Sequence, residues 1–74
     1  MAAGLSTATV GDALGGAIAA LTAAGVGSPR LDAEILLEAA SGYSRTELIA
    51  SPEAELPRGC GREFAGMIRR RSAR

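Results

Sequence analysis

Apolar residues recur every three or four positions along most of the chain, and this spacing is the period of an α-helix. In the first such segment the periodic positions are Val10, Leu14, Ala17, Leu21 and Ala24. Thr9 followed by Asp12 has the form of a capping-box start, and Gly25 supplies the left-handed residue that commonly closes a helix. The pattern therefore predicts a first helix over residues 10–24.

Two adjacent glycines interrupt the first predicted helix. Gly15 and Gly16 each cost about 1 kcal/mol of helix stability relative to alanine. The helix must therefore depend on tertiary packing. The missing side chains also predict that another backbone can approach this helix closely.

A second helix is predicted over residues 29–40 or 29–41. Ser28 and Pro29 form a strong start signal, and Gly42 follows as a stop signal. Apolar residues cover about two thirds of the helix circumference and leave a narrow polar strip. The strip consists of Arg30, Glu34 and Glu38, and the apolar arc of Leu31, Ala33, Ile35, Leu36, Leu37, Ala39 and Ala40. Such a wide arc predicts a central helix.

Two further helices complete the predicted fold. Ser44 and Glu47 form a capping box for a short helix over residues 45–50, which Pro52 ends. The fourth helix is predicted over residues 57–71, after a loop. Its apolar face carries Leu56, Cys60, Phe64, Met67 and Ile68, and Arg71 enters the same sector. We predict an all-α bundle of four short helices, or five if one more turn is helical, with residues 1–8 flexible.

Asp32 lies inside the apolar arc of the second predicted helix, where a carboxylate needs a partner. We hypothesise a structural ion pair with Arg71, because this arginine enters the apolar arc of the fourth helix. Replacing Asp32 by Asn or Ala should then destabilise the fold by a few kcal/mol. A role as a general base is disfavoured, because no second titrating group accompanies Asp32 in the sequence.

Composition narrows the functional classes. The net charge is zero and only Tyr43 and Phe64 are aromatic, which argues against nucleic-acid binding. A single cysteine and no histidine exclude a disulfide and a zinc site within the chain. The absence of a disulfide framework makes a reducing, cytoplasmic location the simplest interpretation. The uncharged stretch 13–29 is short and rich in Ala and Gly, so we expect no membrane span.

The arginines are concentrated at the C-terminus. Arg69, Arg70 and Arg74 form a candidate patch that faces an acidic partner. The alternative is a solvated helix end, where cations are favoured by the helix dipole.

The segment RLDAEILLEAASGYSRTELIA, over residues 30–50, resembles the N-terminal domain of the release factor glutamine methyltransferases, the HemK/PrmC family. The resemblance extends to the Arg-rich close of the fourth helix, so it covers essentially the whole chain. The residues that carry it are Gly25, Ser28, Pro29, Asp32, Ala33, Glu34, Leu36, Leu37, Gly42 and Arg45.

The resemblance implies a parent enzyme that moves a methyl group from S-adenosylmethionine to the Gln amide in the Gly-Gly-Gln loop of a peptide chain release factor. Its catalytic domain follows the helical domain and carries a Gly-rich cofactor loop and an Asn-Pro-Pro-Tyr motif. Neither motif occurs in residues 1–74. We therefore expect a single N-terminal domain with no catalytic, cofactor-binding or metal-binding residue.

The function implied by the resemblance is recognition and positioning of the release factor, with the parent's own catalytic domain as a second partner. The alternative is a free-standing helical interaction module. Such a module would bind an amphipathic partner helix on the Gly- and Ala-rich face of the first helix.

Overall fold

The computed structural model describes residues 9–73, and most of them are helical. The helices are α1 (Val10–Ala23), α2 (Pro29–Ser41), α3 (Arg45–Ala50) and α4 (Cys60–Ser72). Within this range there is no extended strand, and one isolated antiparallel bridge joins Thr9 to Glu55. The predicted all-α bundle of four helices is confirmed. Residues 1–8, for which flexibility was predicted, and Arg74 lie outside the described range.

The predicted start signals of α1 and α3 form real caps. The Thr9 hydroxyl accepts a hydrogen bond of 3.1 Å from the Asp12 amide. In the capping box of α3, the Glu47 amide donates to the Ser44 hydroxyl at 3.1 Å and the Ser44 amide donates to the Glu47 carboxylate at 2.8 Å. These bonds satisfy amides that have no partner inside their own helices. Sequence therefore defines both helix starts.

The start of the fourth helix was predicted wrongly. α4 begins at Cys60 rather than at residue 57, because Gly59 adopts a left-handed conformation with φ 84°. This backbone cannot continue a right-handed helix. The optional fifth helix also does not form, since residues 51–59 make turns.

The 51–59 loop is bound to the start of α1. The Val10 amide donates to the Ala54 carbonyl at 2.8 Å, and the Gly11 amide donates to the Pro52 carbonyl at 2.7 Å. A Cβ atom at Gly11 would lie 3.2 Å from the Pro52 oxygen, whereas Gly15 and Gly16 have nothing within 4 Å. The close backbone approach predicted at Gly15 and Gly16 therefore occurs one turn earlier, at Gly11.

α2 packs against all three other helices, and α1 also packs against α4. Each helix contributes to one apolar core. Its buried residues are Val10, Leu14, Ala17, Leu21, Ala33, Leu37, Leu48, Cys60, Phe64 and Ile68. The core therefore contains a single aromatic ring, and α2 occupies the central position that its wide apolar arc predicted.

The faces of α2 are not oriented as the sequence pattern implied. Leu31 and Ile35 are 43% and 47% exposed, and Ala39, one turn further on, is also exposed. Glu34, which was assigned to the solvated strip, is only 4% exposed. The three neighbouring helices leave one side of α2 uncovered. The core therefore takes Ala33 and Leu37 and leaves an apolar stripe of Leu31, Ile35 and Ala39 in solvent.

Two Gly→Ala substitutions should have opposite effects on stability. Gly15→Ala should stabilise the fold by about 1 kcal/mol, because the added methyl group meets open space and favours the helix. Gly42→Ala should destabilise it by about 1 kcal/mol, because Gly42 closes α2 with φ 83°. Urea denaturation measures both changes in the free energy of unfolding. Changes of the same sign would contradict this description of the two sites.

Candidate functional site

Asp32 and Arg71, the two residues predicted to pair, lie side by side. The Arg71 Nη2 atom is 2.9 Å from Asp32 Oδ2 and links the first turn of α2 to the last turn of α4. The contact is ionic rather than a well-directed hydrogen bond, because no N–H group points at the buried Asp32 Oδ2 atom with good geometry. The Asp32 side chain is 22% exposed and that of Arg71 is 53% exposed.

A buried acid on α2 was missed from the sequence. The Glu34 side chain is 5% exposed and lies 3.3 Å from Arg45 Nε and 3.8 Å from Arg30 Nη1. The i, i+4 spacing to Arg30 is visible in the sequence, but the closer partner comes from α3. Glu34 therefore connects two helices through a carboxylate that the core has largely taken out of water.

Arg69 and Arg70, the candidate partner-facing residues, are exposed on the last turns of α4. Their guanidinium groups lie beside Gly66, within 3.5 to 3.7 Å of the position that a Cβ atom would occupy there. Among residues 9–73, neither arginine has a carboxylate within ion-pair distance. Arg74, the third member of the predicted patch, lies outside the described residues.

A groove of about 360 Å³ runs between α1 and α4 beside Arg69. Its lining is mostly apolar, with small residues contributed by both helices. The lining residues of α1 are Asp12, Ala13, Gly16 and Ala17, and those of the loop and α4 are Leu56, Gly61, Phe64, Ala65, Ile68 and Arg69. The structure thus places one predicted partner-facing arginine at the edge of an apolar depression that the sequence did not reveal.

The sequence profile of the PrmC N-terminal domain matches residues 12–74. A release factor glutamine methyltransferase from Moorella thermoacetica is 43% identical over 65 residues, which is 88% of this chain. The chain belongs to the PrmC N-terminal domain family. The matched stretch covers only 23% of the Moorella protein. No solved structure matches the chain.

The turn between α1 and α2 of this PrmC N-terminal domain does not fit a cofactor loop. Gly25 and Val26 donate their amides to the Thr22 and Leu21 carbonyls, both at 3.0 Å, so these amides close α1 and cannot cradle a ligand. Within residues 9–73, no group of three or more His, Cys, Asp or Glu side chains could hold a metal ion. Over the same residues, no helix has the length and apolar character required to cross a bilayer.

Cys60 is buried in the core of the PrmC N-terminal domain, at the first position of α4. Burial raises the pKa of its thiol above the ordinary value of 9.0, and the negative charge of Glu63 raises it further. The protonated thiol is therefore the favoured form. It serves as a small apolar side chain beside Phe64.

The Asp32–Arg71 pair should contribute less than a fully buried pair would. Because half of the Arg71 side chain is in solvent, Asp32→Asn should destabilise the domain by about 1 kcal/mol, below the few kcal/mol that the sequence indicated. A double-mutant cycle with Arg71→Gln, measured by urea denaturation, isolates the interaction. A coupling energy of zero would show that the pair does not stabilise the fold.

Proposed function

We propose that this chain is the substrate-recognition and positioning domain of a cytoplasmic, S-adenosylmethionine-dependent methyltransferase. The proposed substrate is the Gln of the Gly-Gly-Gln motif in peptide chain release factors. The observation that carries the proposal is the family match over residues 12–74, together with a relative named release factor glutamine methyltransferase.

The distribution of arginine charge supports a binding role. Arg30, Arg45 and Arg71 are used inside the domain, where each lies within 4 Å of a carboxylate. The arginines at the exposed side of α4 have no such partner among the described residues. Their charge is therefore available to a protein surface that carries carboxylates.

The methyl-transfer step belongs to another part of the parent enzyme. The Gly-rich turn at residues 25–27 does not offer a loop for S-adenosylmethionine, because the Gly25 and Val26 amides close α1. We propose that the cofactor is bound by a catalytic domain of the same polypeptide, and that this domain is the second partner of the helical bundle. The bundle would then hold the release factor while the catalytic domain methylates it.

A free-standing interaction module was the alternative reading of the sequence. The family match favours the methyltransferase, because the matched relative is named a release factor glutamine methyltransferase. The two proposals differ in one measurable respect. A domain of the methyltransferase lowers the KM of that enzyme for its protein substrate, whereas an independent module has no effect on methylation.

Removing this domain from the full-length methyltransferase should separate binding from chemistry. We expect the KM for an intact release factor to rise by tenfold or more, about 1.4 kcal/mol of lost binding. The kcat/KM for a short peptide containing the Gly-Gly-Gln loop should stay unchanged, because a peptide cannot reach the helical domain. The measurement is steady-state transfer of radiolabelled methyl groups. If both substrates are affected equally, or neither is, the recognition role is wrong.

Charge reversal tests whether Arg69 and Arg70 contribute to binding of the release factor. In the full-length enzyme, Arg69→Glu combined with Arg70→Glu should raise the KM for the release factor by about tenfold at low salt, and the effect should shrink as salt rises. Thr46→Glu places an acidic residue on the exposed surface of α3 and serves as the control. Unchanged KM in the double variant at low salt would show that the two arginines are simply solvated.

A further inference from the structure

The groove between α1 and α4 is a mostly apolar depression of about 360 Å³. Phe64, Ile68 and Leu56 line it with apolar surface. Gly16 and Gly61 also line it and have no side chain that would narrow it. A Cβ atom built on either glycine would meet nothing within 4 Å. A segment lying across the two helices can therefore reach the buried edge of the core without displacing any side chain.

The charges at this groove select for an acidic partner. Of the described arginines, the four without an ion-pair partner are Arg58, Arg62, Arg69 and Arg70, and all lie in α4 or directly before it. Arg69 lines the groove, and Arg62 projects from the same exposed side of α4 because the two positions are two turns apart. Asp12 is the single acid in the lining. α4 itself carries one acid, Glu63, against Arg62, Arg69, Arg70 and Arg71, so cations outnumber acids on this helix.

A second copy of this chain is a poor occupant for the groove. A two-fold symmetric dimer would place the α4 face of one copy against the same face of the other. The unpaired arginines would then approach each other, and like charges across an interface cost free energy. An acidic segment instead places a carboxylate beside each arginine and buries an apolar side chain against the lining of the groove.

We infer that the α1–α4 groove is the docking site for an acidic amphipathic segment of the release factor. One or two large apolar side chains of this segment pack on Phe64 and Ile68, and flanking carboxylates pair with Arg69 and Arg62. This inference rests on the proposed function and deepens it, because it names the surface and the chemistry of the segment that binds there. The exposed α2 stripe lies outside the site and provides a control surface.

A pair of matched substitutions in the full-length methyltransferase tests the inference. Ala65→Glu places an acidic side chain in the groove, where it blocks the apolar surface and neutralises Arg69 one turn away. Ala39→Glu makes the same change at an exposed position of α2. Ala65→Glu should raise the KM for an intact release factor by at least about tenfold, as expected at the centre of an interface. Ala39→Glu should leave the KM unchanged.

Methylation of a short Gly-Gly-Gln peptide distinguishes the release factor from the catalytic domain as the occupant of the groove. Both variants should methylate this peptide as the parent enzyme does, because the peptide carries no docking segment. If Ala65→Glu also impairs methylation of the peptide, the catalytic domain covers the groove and the inference is wrong. If Ala65→Glu leaves the KM for the intact factor unchanged, the release factor docks elsewhere, and the proposed function still stands.

If the parent enzyme methylates no release factor, both the inference about the groove and the proposed function are wrong. Ala65 and Ala39 both lie at exposed helical positions, so we expect both variants to fold. Thermal melting followed by circular dichroism checks this. Arg69→Gln supplies a second variant with little steric change. It should weaken the salt dependence of the KM for the intact factor, and an unaltered salt dependence would contradict the charge pairing.

Discussion

The position of α2 in the middle of the bundle is the constraint on which the rest of the structure depends. Ala33 and Leu37 are fully buried between the neighbouring helices, and this orientation of α2 takes two acidic residues partly or wholly out of water. A buried carboxylate needs a nearby cation or hydrogen-bond donors. α3 and α4 supply these cations, so the electrostatics of the bundle follow from the packing of one helix.

This arrangement divides the arginines into two groups with different roles. Those on or beside α2 are held within 4 Å of its acids. Those on the opposite side of α4 have no acid to meet among residues 9–73. The chain has no net charge, yet α4 carries four arginines and the single acid Glu63, because five of the eight acids lie on α2 and in the 51–59 loop. A net charge of zero is therefore compatible with electrostatic recognition of a protein partner.

Small residues have two distinct uses in this fold. Gly11 allows the 51–59 loop to hydrogen-bond directly to the first turn of α1, so it serves the structure. A Cβ atom at Gly16 or Gly61 would meet nothing within 4 Å, and these two glycines leave open the groove beside Phe64. Their cost in helix stability is consistent with a surface that is completed by another protein.

The sequence by itself determined the helices, because caps, helix-closing glycines and three- or four-residue spacing act within one or two turns. It determined α2, α3 and their capping residues, and carried the resemblance to the PrmC family. The pairing of Asp32 with Arg71 was a hypothesis from the sequence, and the tertiary structure brings the two side chains to 2.9 Å. Only the tertiary structure decided that Glu34 is buried, that Leu31 and Ile35 are exposed, and that Gly59 delays the start of α4. Local patterns specify which residues share a helix face. Which face the neighbouring helices cover depends on how several helices pack together, and no single segment contains that information.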